Sequence, residues 1–276
     1  MPGTHQPPPS RSSAPMPPRP DEVPRVTERS VLEREVHRIV EAGGRANVTL
    51  RVLGSLGVSL HCPSGAALLP TFLRTYADID LAGYRRESRE TRELLAGLGY
   101  AEDREVFIAS EGRRGLFDHP STGIHVDVFF DRLEFCHPIP LDGRLVEDSP
   151  TIPLAELLLS KLQVVKITEK DVVDTILLLL DHELASGDSD VIDAGRVARL
   201  CAADWGLWRT VTLSLDKVVA LARSYPQLDT AARDRVGSQV SALAARLAAE
   251  PKTFGWRARA RIGERKQWWT DVEEVG

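Results

Sequence analysis

Two acidic residues, Asp78 and Asp80, are separated by a single isoleucine inside the mainly apolar stretch 76–81. Side chains on an extended strand alternate between two faces, so both carboxylates point to the same face. Two negative charges on one face repel each other unless a cation neutralises them. A third acid, Asp127, lies in the alternating run 124–130, which we expect to form a neighbouring strand. Three carboxylates are hard oxygen ligands, and together they predict a Mg²⁺ site that binds a nucleoside triphosphate.

A glycine-serine turn, Gly54-Ser55, directly follows the predicted strand 48–53 and precedes a predicted short helix that ends near residue 60. Backbone N–H groups at the start of a helix can bind phosphate, and glycine lets a ligand approach the backbone closely. The Ser55 hydroxyl is then a candidate partner for a terminal phosphate oxygen. Taken alone, the dipeptide is more often an ordinary turn. Its position upstream of the acid pair favours phosphate binding.

Gly54-Ser55, Asp78-x-Asp80 and Asp127 together resemble the catalytic signature of the polymerase-β-type nucleotidyltransferase superfamily. A second block, with Lys161 in the apolar segment 154–162 followed by the Lys-Asp-x-x-Asp run 170–174, resembles the abortive-infection type II (AbiEii-type) nucleotidyltransferase toxins and their uncharacterised relatives. The resemblance extends over residues 48–182.

The superfamily resemblance implies a role for each of the three acids. Asp78 and Asp80 would be Mg²⁺ ligands. Asp127 would complete the second metal site and activate the attacking hydroxyl. Asp118 and Asp131 are alternatives for this third position, and Asp127 is the preferred assignment because it lies within the alternating strand.

The toxin resemblance adds further nucleotide-binding candidates, and it makes Lys161 a catalytic candidate as well. Lys161 would pair with the triphosphate as a point charge, and the later acid of the site would be Asp174, with Asp171 as a close competitor. Arg74 resembles the basic residue that these relatives carry before the acid pair. The alternative for Lys161 is a lysine that extends from an amphipathic helix to solvent.

These residues predict an enzyme that moves a nucleoside monophosphate from an NTP to an acceptor hydroxyl and releases pyrophosphate, with Mg²⁺ as cofactor. The toxin resemblance implies tRNA as acceptor and a cognate antitoxin as partner. The alternatives are a small-molecule nucleotidyltransferase, such as one that modifies an aminoglycoside, and a non-catalytic nucleotide-binding module. Ser55 and Asp78 are 23 positions apart, a longer gap than is usual in the superfamily, which leaves the acceptor class open.

The order of predicted elements gives an α+β fold, with a small mixed-sheet nucleotidyltransferase core followed by a helical C-terminal domain. The predicted units are a disordered proline-rich tail (1–24), an α/β catalytic domain (25–150) and a helical domain (151–276). The predicted strands are 48–53, 78–82, 106–108, 115–117 and 124–130. The predicted helices are 28–42 (ended by Gly43-Gly44), 87–98, 154–165, 170–184, 191–201 (started by Ser189-Asp190), 207–223 and 230–249, and 61–75 is predicted to be a loop.

Composition excludes several classes of protein. The 276-residue chain is 42% hydrophobic and 27% charged, as in ordinary globular proteins, and its net charge of −5 argues against an overall nucleic-acid-binding field. No apolar run approaches the ~20 residues that span a bilayer, and the first residues lack the apolar segment of a secretory signal. Three scattered cysteines favour a reducing compartment, and so a cytoplasmic protein.

Two further patterns have competing interpretations. His61-Cys62 and Cys136-His137 are metal-ligating residue types, but adjacent residues rarely bind one ion together, so structural burial is favoured. The segment 252–269 mixes basic residues with tryptophans. It could bind a nucleic-acid backbone and stack bases, although a final helix that packs its tryptophans on the helical domain is the commoner explanation.

Overall fold

The computed structural model describes residues 28–68, 78–187 and 190–271. Its largest sheet has five strands in the order β1-β2-β5-β4-β3. The β2 and β5 strands run parallel and the other neighbouring pairs run antiparallel, so the sheet is mixed. The strands are β1 (Leu50–Val52), β2 (Asp78–Gly83), β3 (Ala101–Asp103), β4 (Arg114–Asp118) and β5 (His125–Phe130).

Two small two-stranded sheets and a series of helices complete the described fold. The small sheets pair β6 (Arg132–Glu134) with β7 (Pro138–Pro140), and β8 (Glu183–Ala185) with β9 (Val191–Asp193). The described α-helices are α1 (Arg29–Ala46), α2 (Gly54–His61), α3 (Gly65–Leu68), α4 (Ser88–Gly97), α5 (Arg104–Ala109), α6 (Leu154–Leu162), α7 (Glu169–Asp181), α8 (Ala194–Ala203), α9 (Trp205–Ser224), α10 (Thr230–Ala249) and α11 (Phe254–Ile262).

One face of the five-stranded sheet packs against α1 and α4. Ile79 and Leu81 of β2 and Val126 and Val128 of β5 are fully buried in this layer. Burying each such side chain stabilises the fold by roughly 1.5–3 kcal/mol. Because side chains alternate along a strand, the residues between them occupy the opposite face. The predicted acids lie on that second face.

The α6 helix is the centre of a second hydrophobic cluster. Each of its residues is buried, and the cluster also contains side chains from α2, α7, α8, α9 and α10. A helix that is apolar on all sides is usually enclosed by other elements. This enclosure buries the ammonium-bearing residue of α6, Lys161, at 7% exposure.

The predicted end of the first helix at Gly43-Gly44 is wrong, because α1 continues to Ala46. Asn47 ends it in the left-handed conformation (φ 57°), and its N–H contacts the carbonyls of both glycines. Gly43 has a packing role instead, since a Cβ there would lie 2.8 Å from the carbonyl oxygen of Val48.

Two other predicted elements are also corrected. Residues 106–108 are not a strand but part of α5, whose start is capped by the Asp103 carboxylate through the N–H groups of Glu105 and Val106. The predicted helix 191–201 begins as β9, and α8 follows with Asp193 as its cap in place of Ser189-Asp190. The predicted loop 61–75 contains the short helix α3.

Two predictions concern the N-terminal tail and the boundary between the predicted domains. The tail 1–24 lies outside the described residues. The division into two domains near residue 150 stays a prediction. The chain there is held to the sheet, since the Val52 N–H donates to the Pro150 carbonyl and the Ile152 N–H donates to the Val52 carbonyl.

The tryptophans of the C-terminal segment pack against the helical part. The ring of Trp256 lies 5.2 Å from that of Trp208, and the ring of Trp268 lies 5.9 Å from that of Trp205. The Trp268 indole N–H also donates to the Thr210 hydroxyl at 3.1 Å. These contacts favour the packing explanation for this segment over base stacking.

Among the described helices, none is both long enough and apolar enough to cross a membrane.

Candidate functional site

The second face of the sheet brings the predicted acids together. In the parallel pair β2–β5, Asp80 lies directly opposite Asp127, and Asp78 lies opposite His125. Neighbouring strands are about 4.8 Å apart, so the carboxylates share one small region. Asp127 is only 6% exposed, whereas Asp78 is exposed to solvent. The predicted spatial grouping of these three acids is therefore present.

Electrostatic strain concentrates on Asp80. Its pKa is raised from 3.8 to about 7, first by burial and then by the charges of Asp78 and Asp127. Lys161 and Arg114 act in the opposite direction and favour the ionised form. A carboxyl group that is costly to ionise and has like charges beside it is typical of a functional site. A cation bound here would relieve that cost.

Arg114 neutralises Asp127 and was not among the predicted site residues. Its Nε donates to both carboxylate oxygens of Asp127 at 2.9 Å, and its terminal nitrogen donates to Oδ2 at 2.6 Å. Burial raises the pKa of Asp127, and the Arg114 guanidinium lowers it. Register explains the contact: Leu116 of β4 lies opposite Asp127, so Arg114 is a diagonal neighbour on the same face.

The carboxylate of Asp80 leaves no space for a side chain at position 54. Gly54 has φ +67°, and a Cβ on it would collide with Asp80 Oδ2 and lie 3.0 Å from Cγ. The adjacent Leu53 N–H donates to the Asp80 carbonyl at 3.0 Å, which fixes the turn beside β2. Gly54 is also the first residue of α2. The start of this helix therefore lies against the acidic face, and a side chain at position 54 has no room.

A second polar group, here called the helical cluster, consists of Ser55, Lys161, Asp171 and Asp174. The Lys161 ammonium lies 3.0 Å from Asp174 Oδ2 and 3.4 Å from Asp171 Oδ1. It also donates to the Ser55 hydroxyl at 3.4 Å, and this hydroxyl donates to Asp174 at 3.1 Å. Asp174 is fully buried. The predicted residues of α2, α6 and α7 are thus in contact with one another.

Local sequence explains how the acids of the helical cluster are placed. Thr168 and Asp171 form a reciprocal capping box that starts α7. Asp174 follows three residues later, and residues three apart lie on the same side of a helix. Both acids therefore face Lys161. Because Lys161 also lowers the pKa of Asp80, the helical cluster and the acidic face of the sheet form one electrostatic unit.

The remaining candidates lie elsewhere. Asp118 is exposed and pairs with His125 at the outer end of β4. Asp131 follows β5 with φ 64°, and its carboxylate accepts the backbone N–H of Arg85 at 3.0 Å. Neither lies opposite Asp80, so the geometry favours Asp127 as the third acid of the group. Arg74 lies outside the described residues.

No protein-family model matches this chain, and no curated protein matches it. Among solved structures, it is similar to an antigenic nucleotidyltransferase-like protein from Paracoccidioides brasiliensis, at 12% identity and a TM-score of 0.36. The similarity covers 82% of this chain and 94% of that chain. This likeness is too distant to transfer any residue's role to the present chain.

Proposed function

We propose that this protein is a Mg²⁺-dependent nucleotidyltransferase with the polymerase-β-type core. The observation that carries the proposal is the register of β2 and β5, which places Asp80 opposite Asp127 with Asp78 on the same face. These are the three acids that the sequence resemblance implies, and they come from segments almost 50 positions apart. A structural role alone gives no reason to concentrate three carboxylates on a half-buried face.

The donor set fits a hard divalent cation. Asp78, Asp80 and Asp127 offer carboxylate oxygens, which suit Mg²⁺. The raised pKa of Asp80 supports the fit, because this carboxyl group is costly to ionise without added positive charge. When bound, Mg²⁺ polarises phosphoryl oxygens and neutralises the charge that develops on them.

Other residues of the chain hold the nucleotide and the acids in place. In this proposal the first N–H groups of α2 bind phosphate oxygens, and the Ser55 hydroxyl turns from Asp174 to donate to one of them. Lys161 keeps Ser55 and Asp174 in position and contributes positive charge to the acidic face. Arg114 orients the Asp127 carboxylate through its bidentate contact. Asp127 is then the group placed to accept the proton of the attacking hydroxyl.

The acceptor is proposed from the sequence resemblance to the AbiEii-type toxins. It implies the hydroxyl of a tRNA end, a cognate antitoxin as partner and a cytoplasmic location. The buried ion pair between Lys161 and Asp174 is compatible with this block of the resemblance, because both residues belong to one cluster.

The test is a transfer assay with the full-length protein. It would be incubated with Mg²⁺, total tRNA and each of the four labelled NTPs in turn. We expect label from one NTP to enter RNA, with release of pyrophosphate, and we expect Asp80→Asn to show no transfer. Pyrophosphate release that requires an added aminoglycoside would favour the small-molecule alternative. NTP binding without any transfer would favour the non-catalytic alternative. A protein that shows no NTP binding and no transfer would contradict the proposal.

A further inference from the structure

Three metal-ligating side chains from two distant parts of the sequence meet at the ends of α2 and α7. His61 is the last residue of α2, His182 directly follows α7, and Asp190 directly precedes β9. One ligand atom from each of the three lies within 4.8 Å of the other two. His61 therefore has potential co-ligands that its sequence neighbour Cys62 does not provide.

The imidazole ring of His182 is surrounded by oxygen atoms. The residue is 3% exposed, and oxygen acceptors face both of its ring nitrogens. Nε2 lies 3.2 Å from the His61 carbonyl oxygen, and Nδ1 lies 3.3 Å from both the carbonyl and a carboxylate oxygen of Asp190. A neutral imidazole has a single N–H. In a neutral ring one nitrogen lone pair would face oxygen lone pairs, and a bound cation would accept that lone pair.

Both histidines also have the outer partners that metal ligands usually have. A ligating histidine commonly has its second ring nitrogen held by a carboxylate or a backbone carbonyl. His61 Nε2 contacts the Thr151 hydroxyl and lies 3.4 Å from Asp148 Oδ2. His182 Nε2 is held by the carbonyl of His61. In His182 this leaves Nδ1, which faces Asp190, as the ligand nitrogen.

Asp190 supplies the third donor from a left-handed backbone position. It has φ 55°, a conformation that aspartate adopts more often than most residues with a side chain. Its side chain is 85% exposed, so the fold gains little from burying it. A bound ion would give this conformation a function, since it holds the carboxylate beside His182.

We propose that His61, His182 and Asp190 bind a transition-metal ion, with Zn²⁺ as the best match. Two imidazoles and one carboxylate are a common zinc ligand set, with water in the fourth position. Bonds of about 2.0–2.2 Å suit the 3.3 Å between His182 Nδ1 and Asp190 Oδ1, and His61 must come within the same range of the ion. The ion would join the C-terminal ends of α2 and α7, the two helices that also carry Ser55 and Asp174. The site is independent of the proposed transfer reaction.

The experiment uses the full-length protein after removal of metals with a chelator. Zn²⁺ would be titrated by calorimetry in excess Mg²⁺, which occupies oxygen-rich sites, and Co²⁺ would serve as the spectroscopic probe. We expect one equivalent of Zn²⁺ to bind and to raise the Tm, and Co²⁺ to give visible absorption bands. Asp190→Ala should weaken Zn²⁺ binding by about tenfold or more, the loss expected even for an outer partner. His37→Ala, which changes an exposed histidine on α1, should bind as the unmodified protein does.

Absence of Zn²⁺ binding would overturn the proposal. Binding that survives both Asp190→Ala and His61→Gln would overturn it as well. These two variants carry the test if a substitution of the buried His182 prevents folding.

Discussion

The acidic face of the sheet and the helical cluster differ in how their charges are balanced. On the sheet face, the three acids lie near the Arg114 guanidinium. Burial and the two neighbouring acids raise the pKa of Asp80 to about 7. In the helical cluster, a single ammonium lies between two acids, and one of these is fully buried. The first region gains from an added cation, and the second is already organised around its own. We infer that the sheet face binds the metal and that the helical cluster positions the residues around it.

Removing an acid from the sheet face should affect turnover most. We expect Asp127→Asn to lower kcat for nucleotide transfer about a thousandfold or more, because metal-assisted charge stabilisation contributes several kcal/mol. Asp118→Asn is the matched control, since this acid is exposed on the neighbouring strand and pairs with His125. Steady-state kinetics of both variants would check this. An equal loss in the two would remove the distinction between Asp127 and its rival.

Removing the Lys161 ammonium from the helical cluster should lower the stability of the folded protein. Lys161→Ala leaves the fully buried Asp174 carboxylate without its ammonium, so we expect a loss of about 3–5 kcal/mol in the free energy of unfolding. Lys170→Ala, an exposed lysine at the start of α7, should be nearly neutral. Denaturant unfolding would measure both. If Lys161→Ala keeps full stability and only raises KM for the NTP, Lys161 is a nucleotide ligand rather than a positioning residue.

Arg114 tests whether a metal can replace a guanidinium. Without divalent ions, Arg114→Ala should lower the free energy of unfolding by roughly 1–3 kcal/mol, because the buried Asp127 carboxylate loses its charged hydrogen bonds. Added Mg²⁺ should restore more stability in the variant than in the unmodified protein. Arg113→Ala, whose ion pairs with Glu111 and Glu134 lie outside the site, should show no Mg²⁺ dependence. Equal Mg²⁺ effects in the two variants would contradict a metal at Asp127.

The smallest expected effect is a pH-dependent increase in the free energy of unfolding when Asp80 is replaced by asparagine. The pKa of Asp80 is raised from 3.8 to about 7, so the folded state holds a proton that the unfolded state releases between these values. The contribution of Asp80 to stability therefore falls as the pH rises from about 4 to about 7. In a chelator, Asp80→Asn should stabilise the protein by roughly 0.5–2 kcal/mol above this window and hardly at all below it.

Unfolding curves at several pH values would show this gain, with the exposed Asp142→Asn as control. A difference between Asp80→Asn and the unmodified protein that is the same at all pH values would mean that Asp80 is not electrostatically strained.

The sequence located the two acidic strands because their apolar residues alternate with other residues as in a strand, and the acids fall at positions that share one face. Asp78 and Asp80 lie in β2 and Asp127 lies in β5, as predicted. Arg114 was missed because its contact depends on hairpin register. The register that pairs Asp118 with His125 could have revealed it, since that pairing makes Arg114 a diagonal neighbour of Asp127.

The errors at α1 and α5 arose from competing signals. A pair of glycines suggested a helix end at residues 43–44, but the left-handed Asn47 provides it instead. Apolar residues suggested a strand at 106–108, and the capping carboxylate of Asp103 was overlooked. His182 and Asp190 could not be associated with His61 from sequence, because only the packing of α2 against α7 brings them together.

The collision between a side chain at position 54 and the carboxylate of Asp80 couples the residue types at two positions that are distant in sequence. An alanine at 54 would have to displace the acid, and the positive φ would add backbone strain. Relatives that keep an aspartate at position 80 should therefore keep glycine at position 54, and relatives that lose the acid should be released from this constraint. Gly54 and Asp80 together should therefore identify distant relatives of this protein more specifically than either residue alone.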